Sequence, residues 1–308
     1  MTTNTADQLE AKSVRLRHCR GASLGQWLTI FAAAAVGGGV GVFLPGWGMM
    51  WALAVGIFAG FKWLTWVRAE RTRQSAGLGR QFAYLFLWQG MDAPKFLDPR
   101  VIPDRPQVRE WLWAIAKAGL GAGLVWGGAR MAEGDLARGW IGMVGLIFLM
   151  HFGFFHGLAL FWRSLGIAAQ PLMRCPIAAR SVDEFWGRRW NVAFQNLARE
   201  LFFLPLIGRF GAPVALLMTF AISGLIHELV ISLPAAGGYG LPTVYFTLQG
   251  VGVLAERWFR RLGRGADWMR RAFTWIVVAG PAGILFPPIF VERVMIPFLQ
   301  VIQALPTQ

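Results

Sequence analysis

His227 and Glu228 stand side by side in Ser223-Gly224-Leu225-Ile226-His227-Glu228-Leu229, inside an apolar stretch running from about Pro213 to Leu233. Ionisable side chains are costly to place there, which makes function the first reading of the pair. Ser223 precedes His227 by four residues, so on a helix the two share a face and the hydroxyl can orient a ligand or the ring. A neutral imidazole in an apolar surrounding is a suitable general base towards a hydroxyl group. The bland alternative is a packed histidine that hydrogen-bonds a neighbouring helix.

A second group of chemistry-bearing residues is Ser181-Val182-Asp183-Glu184-Phe185-Trp186-Gly187-Arg188-Arg189-Trp190-Asn191. Ser181 followed by Glu184 matches a capping box and predicts a helix start. Phe185, Trp186 and Trp190 suit a headgroup layer, with Arg188 and Arg189 turned to phosphates, although any amphipathic interfacial helix would look the same. Asn191 is a neutral donor and acceptor able to hold a carbonyl or thioester oxygen.

Membrane helices must position these residues. Of the 308 residues, 56% are hydrophobic and 15% are charged, against roughly 25% charged in a soluble domain; this excludes a soluble globular protein and a disordered chain. Apolar stretches near the ~20 residues needed to cross hydrocarbon run from about Leu24 to Leu44, Trp47 to Val67, Trp111 to Met131, Gly139 to Trp162, Pro213 to Leu233, Leu241 to Phe259 and Ala272 to Val291. The first is too long for a signal-peptide core, and the second follows it after only Pro45-Gly46, as in a helical hairpin. Phe82 to Met91 and Leu201 to Ile207 are too short to cross alone and read as re-entrant, interfacial or buried segments. An all-α polytopic bundle of about seven to nine membrane helices is expected.

The net charge of +14 resides between the spans. Segments 1–23, 68–110, 163–210 and 257–271 hold 25 of the 30 Lys and Arg, and the alternate loops hold only Arg130, Arg138 and Arg293, which predicts a cytoplasmic N-terminus. Basic residues distributed in this way do not make a nucleic-acid face. Lys62 and Lys117 fall inside spans, to snorkel or to pair within the bundle. Gly56 with Gly60, and Gly119 with Gly123, predict close helix packing. Among the basic residues 26 of 30 are arginine, which is compatible with a GC-rich genome and a bacterial inner membrane.

Several other signals carry no chemistry. Gly21-Ala22-Ser23-Leu24-Gly25 matches the nucleophile elbow pattern of hydrolases but precedes a membrane helix instead of joining a strand to a helix. His151 and His156 are five apart, on different helix faces, and four histidines are too few for a membrane di-iron centre. No metal site is expected. Cys19 and Cys175 form neither a C-x-x-C pair nor a disulfide framework, and no Walker A or G-x-G-x-x-G sequence is present.

Phe185-Trp186-Gly187-Arg188-Arg189-Trp190-Asn191, followed by the intramembrane histidine of Ser223-Gly224-Leu225-Ile226-His227-Glu228-Leu229, resembles the membrane-bound O-acyltransferases, specifically their wax synthase-like branch. Phe82-Ala83-Tyr84-Leu85-Phe86-Leu87-Trp88-Gln89-Gly90-Met91-Asp92 resembles a W-P-G-M-D-like element of that branch, with Gln89 in place of proline. The likeness covers about residues 80 to 260. Arg188 and Arg189 replace the acidic and aromatic residues of the diacylglycerol and sterol acyltransferase branch.

The resemblance implies a helical bundle with an internal tunnel, receiving acyl-CoA from the cytosol and a hydrophobic hydroxyl acceptor from the membrane. It assigns His227 as the catalytic base and gives Asn191 the acyl carbonyl. Arg174, Arg180, Arg188 and Arg189 become candidates for the CoA phosphates, and Ser223, Glu228, Phe185, Trp186 and Trp190 for other substrate contacts. The expected whole is a basic cytoplasmic segment, 1–23, followed by one integral membrane domain, 24–308, acting as an acyl-CoA:alcohol O-acyltransferase with acyl-CoA as co-substrate and no other cofactor. Two rivals are a transporter or channel-like protein with a His227–Glu228 path for protons or substrate, and a non-catalytic family member.

Overall fold

The computed structural model describes residues 23–261 and 267–307; the basic segment before residue 23, with Cys19, lies outside the described residues. Every regular element among them is helical. Four helical stretches are individually long and apolar enough to cross a membrane: Leu24–Gly41, Gly46–Arg68, Asp135–Ser164 and Val192–Ala235. A fifth results if Asp267–Leu285 and Pro288–Val301, bent by 56°, form one span. The long helices leave Leu28, Phe31, Val55, Trp113 and Ile276 exposed, as lipid-facing surfaces require. The protein is an integral membrane protein with an all-α, polytopic fold.

Seven separate spans were expected, and the differences have local causes. The stretch expected from Ala272 to Val291 is broken after Ala279, where Gly280-Pro281 interrupts it, and again at Pro287-Pro288. Leu241–Arg261 is long enough but carries Thr243, Thr247, Gln249 and Glu256, which lower its apolarity. Gln249 and Glu256 are buried, so one face of this helix packs inside the bundle, while Val244, Leu248, Val251 and Trp258 on it are exposed. Val108–Met131 is helical throughout, with a π-helical segment at Gly123–Gly128, but tryptophans, glycines and Lys117 dilute it. Leu201 to Ile207 is part of the long Val192–Ala235 stretch, which bends at Gly211, whose φ of 75° only glycine adopts readily, just before Pro213.

The first two helices form the expected hairpin. A methyl group placed on Gly56 would meet the Ala33 carbonyl oxygen at 2.5 Å, so the hairpin packs through its small residues. Gly119 and Gly123 face open space. Gly121 makes the close contact instead, against Leu149 and Gly145 of the Asp135–Ser164 stretch.

Lys62 pairs inside the bundle, as one of its two expected readings had it. It is 2% exposed, donates to the Gly90 carbonyl and lies 3.5 Å from the centre of the Tyr84 ring. The Phe82-to-Asp92 element is thereby held against the Gly46–Arg68 helix. Trp88 folds over Gly90, where any side chain would strike the indole, and Asp92 caps the short Ala93–Leu97 helix.

Candidate active site

The helix Leu204–His227 ends on His227 and passes directly into a π-helical turn, Glu228–Ser232. Such turns widen the helix and re-aim its side chains. His227 Nδ1 lies 2.7 Å from the Ser223 carbonyl oxygen. A carbonyl only accepts, so the ring donates its Nδ1–H, and a neutral imidazole then carries its lone pair on Nε2. No other hydrogen bond of the ring is made among the described residues. Sequence reasoning paired His227 with the Ser223 hydroxyl; it is the backbone of Ser223 that orients the ring.

Glu228 holds a neighbouring helix with one of its two oxygens, while Oε2 is buried with no hydrogen-bond partner among the described residues. Its Oε1 accepts from the backbone N–H of Thr243 at 3.1 Å and from the Thr243 hydroxyl at 2.9 Å, in the first turn of Leu241–Arg261. A carboxylate there satisfies an otherwise unpaired helix N–H and complements the helix dipole. Gly224 permits the approach, since a methyl group on it would fall 2.5 Å from the Thr243 Cα. The same approach brings the His227 ring to 4.3 Å from that of Phe246, between centroids.

The second motif begins as the sequence predicts. The Glu184 backbone N–H donates to the Ser181 hydroxyl at 2.8 Å. The helix Val182–Glu184 then widens into the π-helical turn Phe185–Arg189. The aromatic residues pack into the bundle. Phe185 is buried and stacks on Trp190 at 5.5 Å. Trp186 donates its indole N–H to Gln249 at 3.1 Å and contacts Phe246 and Phe220. A chain of rings, Trp186, Phe246 and His227, thus joins the two motifs.

Asn191 follows with left-handed backbone angles, φ 42° and ψ 60°, a conformation that asparagine tolerates better than most residues. Its backbone N–H donates to the Met173 sulfur at 3.3 Å. Arg174 N–H to Arg189 carbonyl and Val192 N–H to Leu172 carbonyl brace it from both sides, at 2.8 and 2.9 Å. Its carboxamide has no partner among the described residues and is partly exposed, so it is available to a ligand. Ala193, two residues on, packs in the same apolar cluster as Ile226 and Val230 around His227.

The arginines differ in their freedom. Arg189 pairs with Glu184 at 2.6 Å and donates to the carbonyls of Arg174 and Cys175, both at 3.1 Å, so it locks the loop under Asn191. The Arg180 backbone N–H and Arg189 together hold the Glu184 carboxyl below its usual range. Arg174 donates to Gln170. Arg188 is exposed and lines a cleft of about 300 Å³ with Arg180, Arg270, Asp183, Glu184, Glu256 and Asp267. Asp183 in that cleft is paired with Arg257 at 2.6 Å.

Sequence reasoning missed Phe246 and Gln249. Gln249 is fully buried and relays Trp186 to the Val277 carbonyl through its own amide N–H, at 2.8 Å. A polar residue inside the Leu241-to-Phe259 stretch carries the same cost argument that singled out His227. Phe246 carried no signal of its own.

Residues 169–248 match the model of the membrane bound O-acyl transferase family. The chain is similar to two probable long-chain-alcohol O-fatty-acyltransferases of Arabidopsis thaliana, 29% identical over 147 residues and 32% identical over 138. These alignments cover 43% and 40% of each chain, respectively. It is also 28% identical over 143 residues to a long-chain-alcohol O-fatty-acyltransferase of Simmondsia chinensis, covering 42% of this chain and 41% of that protein. The chain therefore spans about two fifths of the length of the curated relatives it matches. The matched segment contains Asn191, His227 and the Phe246 that links them, and over it the chain is similar to the membrane bound O-acyl transferase family and to proteins named as long-chain-alcohol O-fatty-acyltransferases.

Proposed function

We propose that the protein transfers an acyl group from acyl-CoA to the hydroxyl of a hydrophobic acceptor, a long-chain alcohol first among them. The observation that carries this reading is the 2.7 Å contact of His227 Nδ1 with the Ser223 carbonyl, which leaves Nε2 as a base in an aromatic, apolar surrounding. In the proposed reaction Nε2 takes the proton of the acceptor hydroxyl as its oxygen attacks the thioester carbonyl. The carbon–sulfur bond breaks, the ester forms, and the proton passes to the leaving thiolate to give CoA. The free carboxamide of Asn191 donates to the carbonyl oxygen, where negative charge develops. Ser223 orients the base through its backbone, and Phe185, Trp186 and Trp190 shape the wall between the two motifs.

The names of the plant relatives support a long-chain alcohol as acceptor and a fatty acyl donor. In this reading acyl-CoA is the co-substrate, no other cofactor takes part, and residues 24–308 act as one membrane domain. The charge distribution supports a cytoplasmic N-terminus, with acyl-CoA arriving from the cytosol, and the 26 arginines among the 30 basic residues are compatible with a bacterial inner membrane.

The test is CoA release by the purified protein in nanodiscs, with palmitoyl-CoA in the presence and absence of hexadecanol, beside the His227→Ala protein. Alcohol-dependent release is expected from the wild type and should fall by about 10²-fold or more without the base. Equal release from the two proteins, or none with any long-chain alcohol, would overturn the reading.

A further inference from the structure

Lys117 and His156 meet across two helices, Val108–Ala122 and Phe155–Ser164, with Nζ 3.0 Å from Nδ1. Two basic nitrogens at that distance hold one positive charge between them: the ammonium only donates, so the imidazole accepts and is neutral, with its own proton on Nε2. The Phe152 carbonyl, one turn back, also approaches the ring. No carboxylate pairs with Lys117 among the described residues. Glu110, the acid whose charge acts on the His156 ring, is already held by two guanidinium nitrogens of Arg163, at 2.6 and 3.4 Å. Lys117 and His156 are both partly exposed, so further donors of the pair remain accessible.

Phe155, next to His156, packs in the apolar cluster that contains Ala193 and Leu172, the residue leading into the turn formed by Met173, Arg174 and Cys175. That turn supports Asn191 through the Met173 sulfur and is clamped by Arg189. In the cleft around Arg188, by contrast, carboxylates outnumber guanidinium groups. A cation without a carboxylate is complementary to a phosphate oxygen.

We propose that Lys117 and His156 form a phosphate-binding site for the anionic portion of the acyl donor, holding it while the thioester reaches Asn191. The inference rests on the acyl-transfer reading for its choice of ligand, and its test separates the two. In nanodiscs of neutral lipid, Lys117→Met should raise KM for palmitoyl-CoA about tenfold with a much smaller change in kcat. KM for S-palmitoyl-pantetheine, which has no phosphate, should stay unchanged, and Lys117→Arg should recover much of the loss with palmitoyl-CoA. Binding of CoA itself to the His227→Ala protein, measured by titration without turnover, should weaken by the same factor when Lys117→Met is added. If the wild type shows no turnover, that titration alone decides the phosphate site. An equal rise in KM for both donors, or unchanged CoA binding, would overturn it. So would a Lys117-dependent response to added phosphatidylglycerol in place of CoA, because the phosphate would then belong to a lipid headgroup.

Discussion

The indole N–H of Trp186 donates to the side-chain oxygen of Gln249 at 3.1 Å, and this bond ties the Asn191 motif to the helix that packs on His227. Gln249 is fully buried and its amide N–H is used on the Val277 carbonyl, so its oxygen depends on Trp186. Trp186→Phe keeps most of the ring contact with Phe246 but leaves that oxygen unpaired. The expected cost is about 1–3 kcal/mol of stability, read as a lower thermal midpoint in detergent, together with reduced acyl transfer. Arg188→Ala, at an exposed residue without a partner among the described residues, should change stability by no more than about 0.5 kcal/mol. Equal effects of the two substitutions would show that the indole bond does not organise the site.

Asn191 combines two demands that substitution can separate. Its backbone is left-handed, which glycine accepts and alanine resists, while its carboxamide is free. Asn191→Gly should therefore fold and insert as the wild type does, yet lose turnover by about 10²-fold, the scale seen when one oxyanion donor is removed. Asn191→Ala should lose turnover and stability together. If Asn191→Gly retained full turnover at normal yield, the residue would serve the turn alone.

The legible part of this molecule was set by cost. An ionisable residue in an apolar stretch is expensive wherever it occurs, so His227 was visible without any structure, and so was the burden on Lys62. Hairpin formation by the first two helices was legible because Pro45-Gly46 leaves no room for another connection. What could not be read is which partner relieves each cost. Glu228 next to His227 suggested a shared site, whereas its Oε1 caps the Leu241–Arg261 helix through Thr243. Arg189 next to Arg188 suggested two phosphate ligands, whereas Arg189 is bound to Glu184 and two carbonyls, and Arg188 has no partner among the described residues. These outcomes depend on contacts between segments distant in sequence, to which local spacing is blind. The break at Gly280-Pro281, by contrast, had a local signal in the Gly-Pro pair itself, set in a stretch whose composition is otherwise that of a span.

Gly224 sets how closely the His227 helix approaches Leu241–Arg261. A methyl group there would stand 2.5 Å from the Thr243 Cα, a backbone atom that cannot turn aside. Gly224→Ala should separate the helices, cost about 1–3 kcal/mol and weaken both the Glu228 cap and the His227–Phe246 contact. Turnover should fall more than stability explains, measured at a temperature where the variant is fully folded. The matching control is Gly157→Ala, where a methyl group meets nothing within 4 Å, and stability there should be unchanged or slightly higher.

Glu184 gives the loop beneath Asn191 a defined response to pH. Its carboxyl is held below the usual range, first by the Arg180 backbone N–H and then by Arg189. A carboxyl depressed in the folded state binds its proton more readily in the unfolded chain. Its contribution is therefore fully present above the unfolded value of about 4.3 and is lost as pH falls through the lower folded value. Glu184→Gln should accordingly be less stable than the wild type at pH 7, with the difference shrinking below about pH 4, and Arg189→Gln should show the same convergence. The double variant should add little to either single change at pH 7, because Glu184 and Arg189 meet at 2.6 Å and act as one contact. Thermal midpoints of the four proteins between pH 3 and pH 7 test this directly, and a gap that stayed constant across that range would assign the effect to packing instead of to the ion pair.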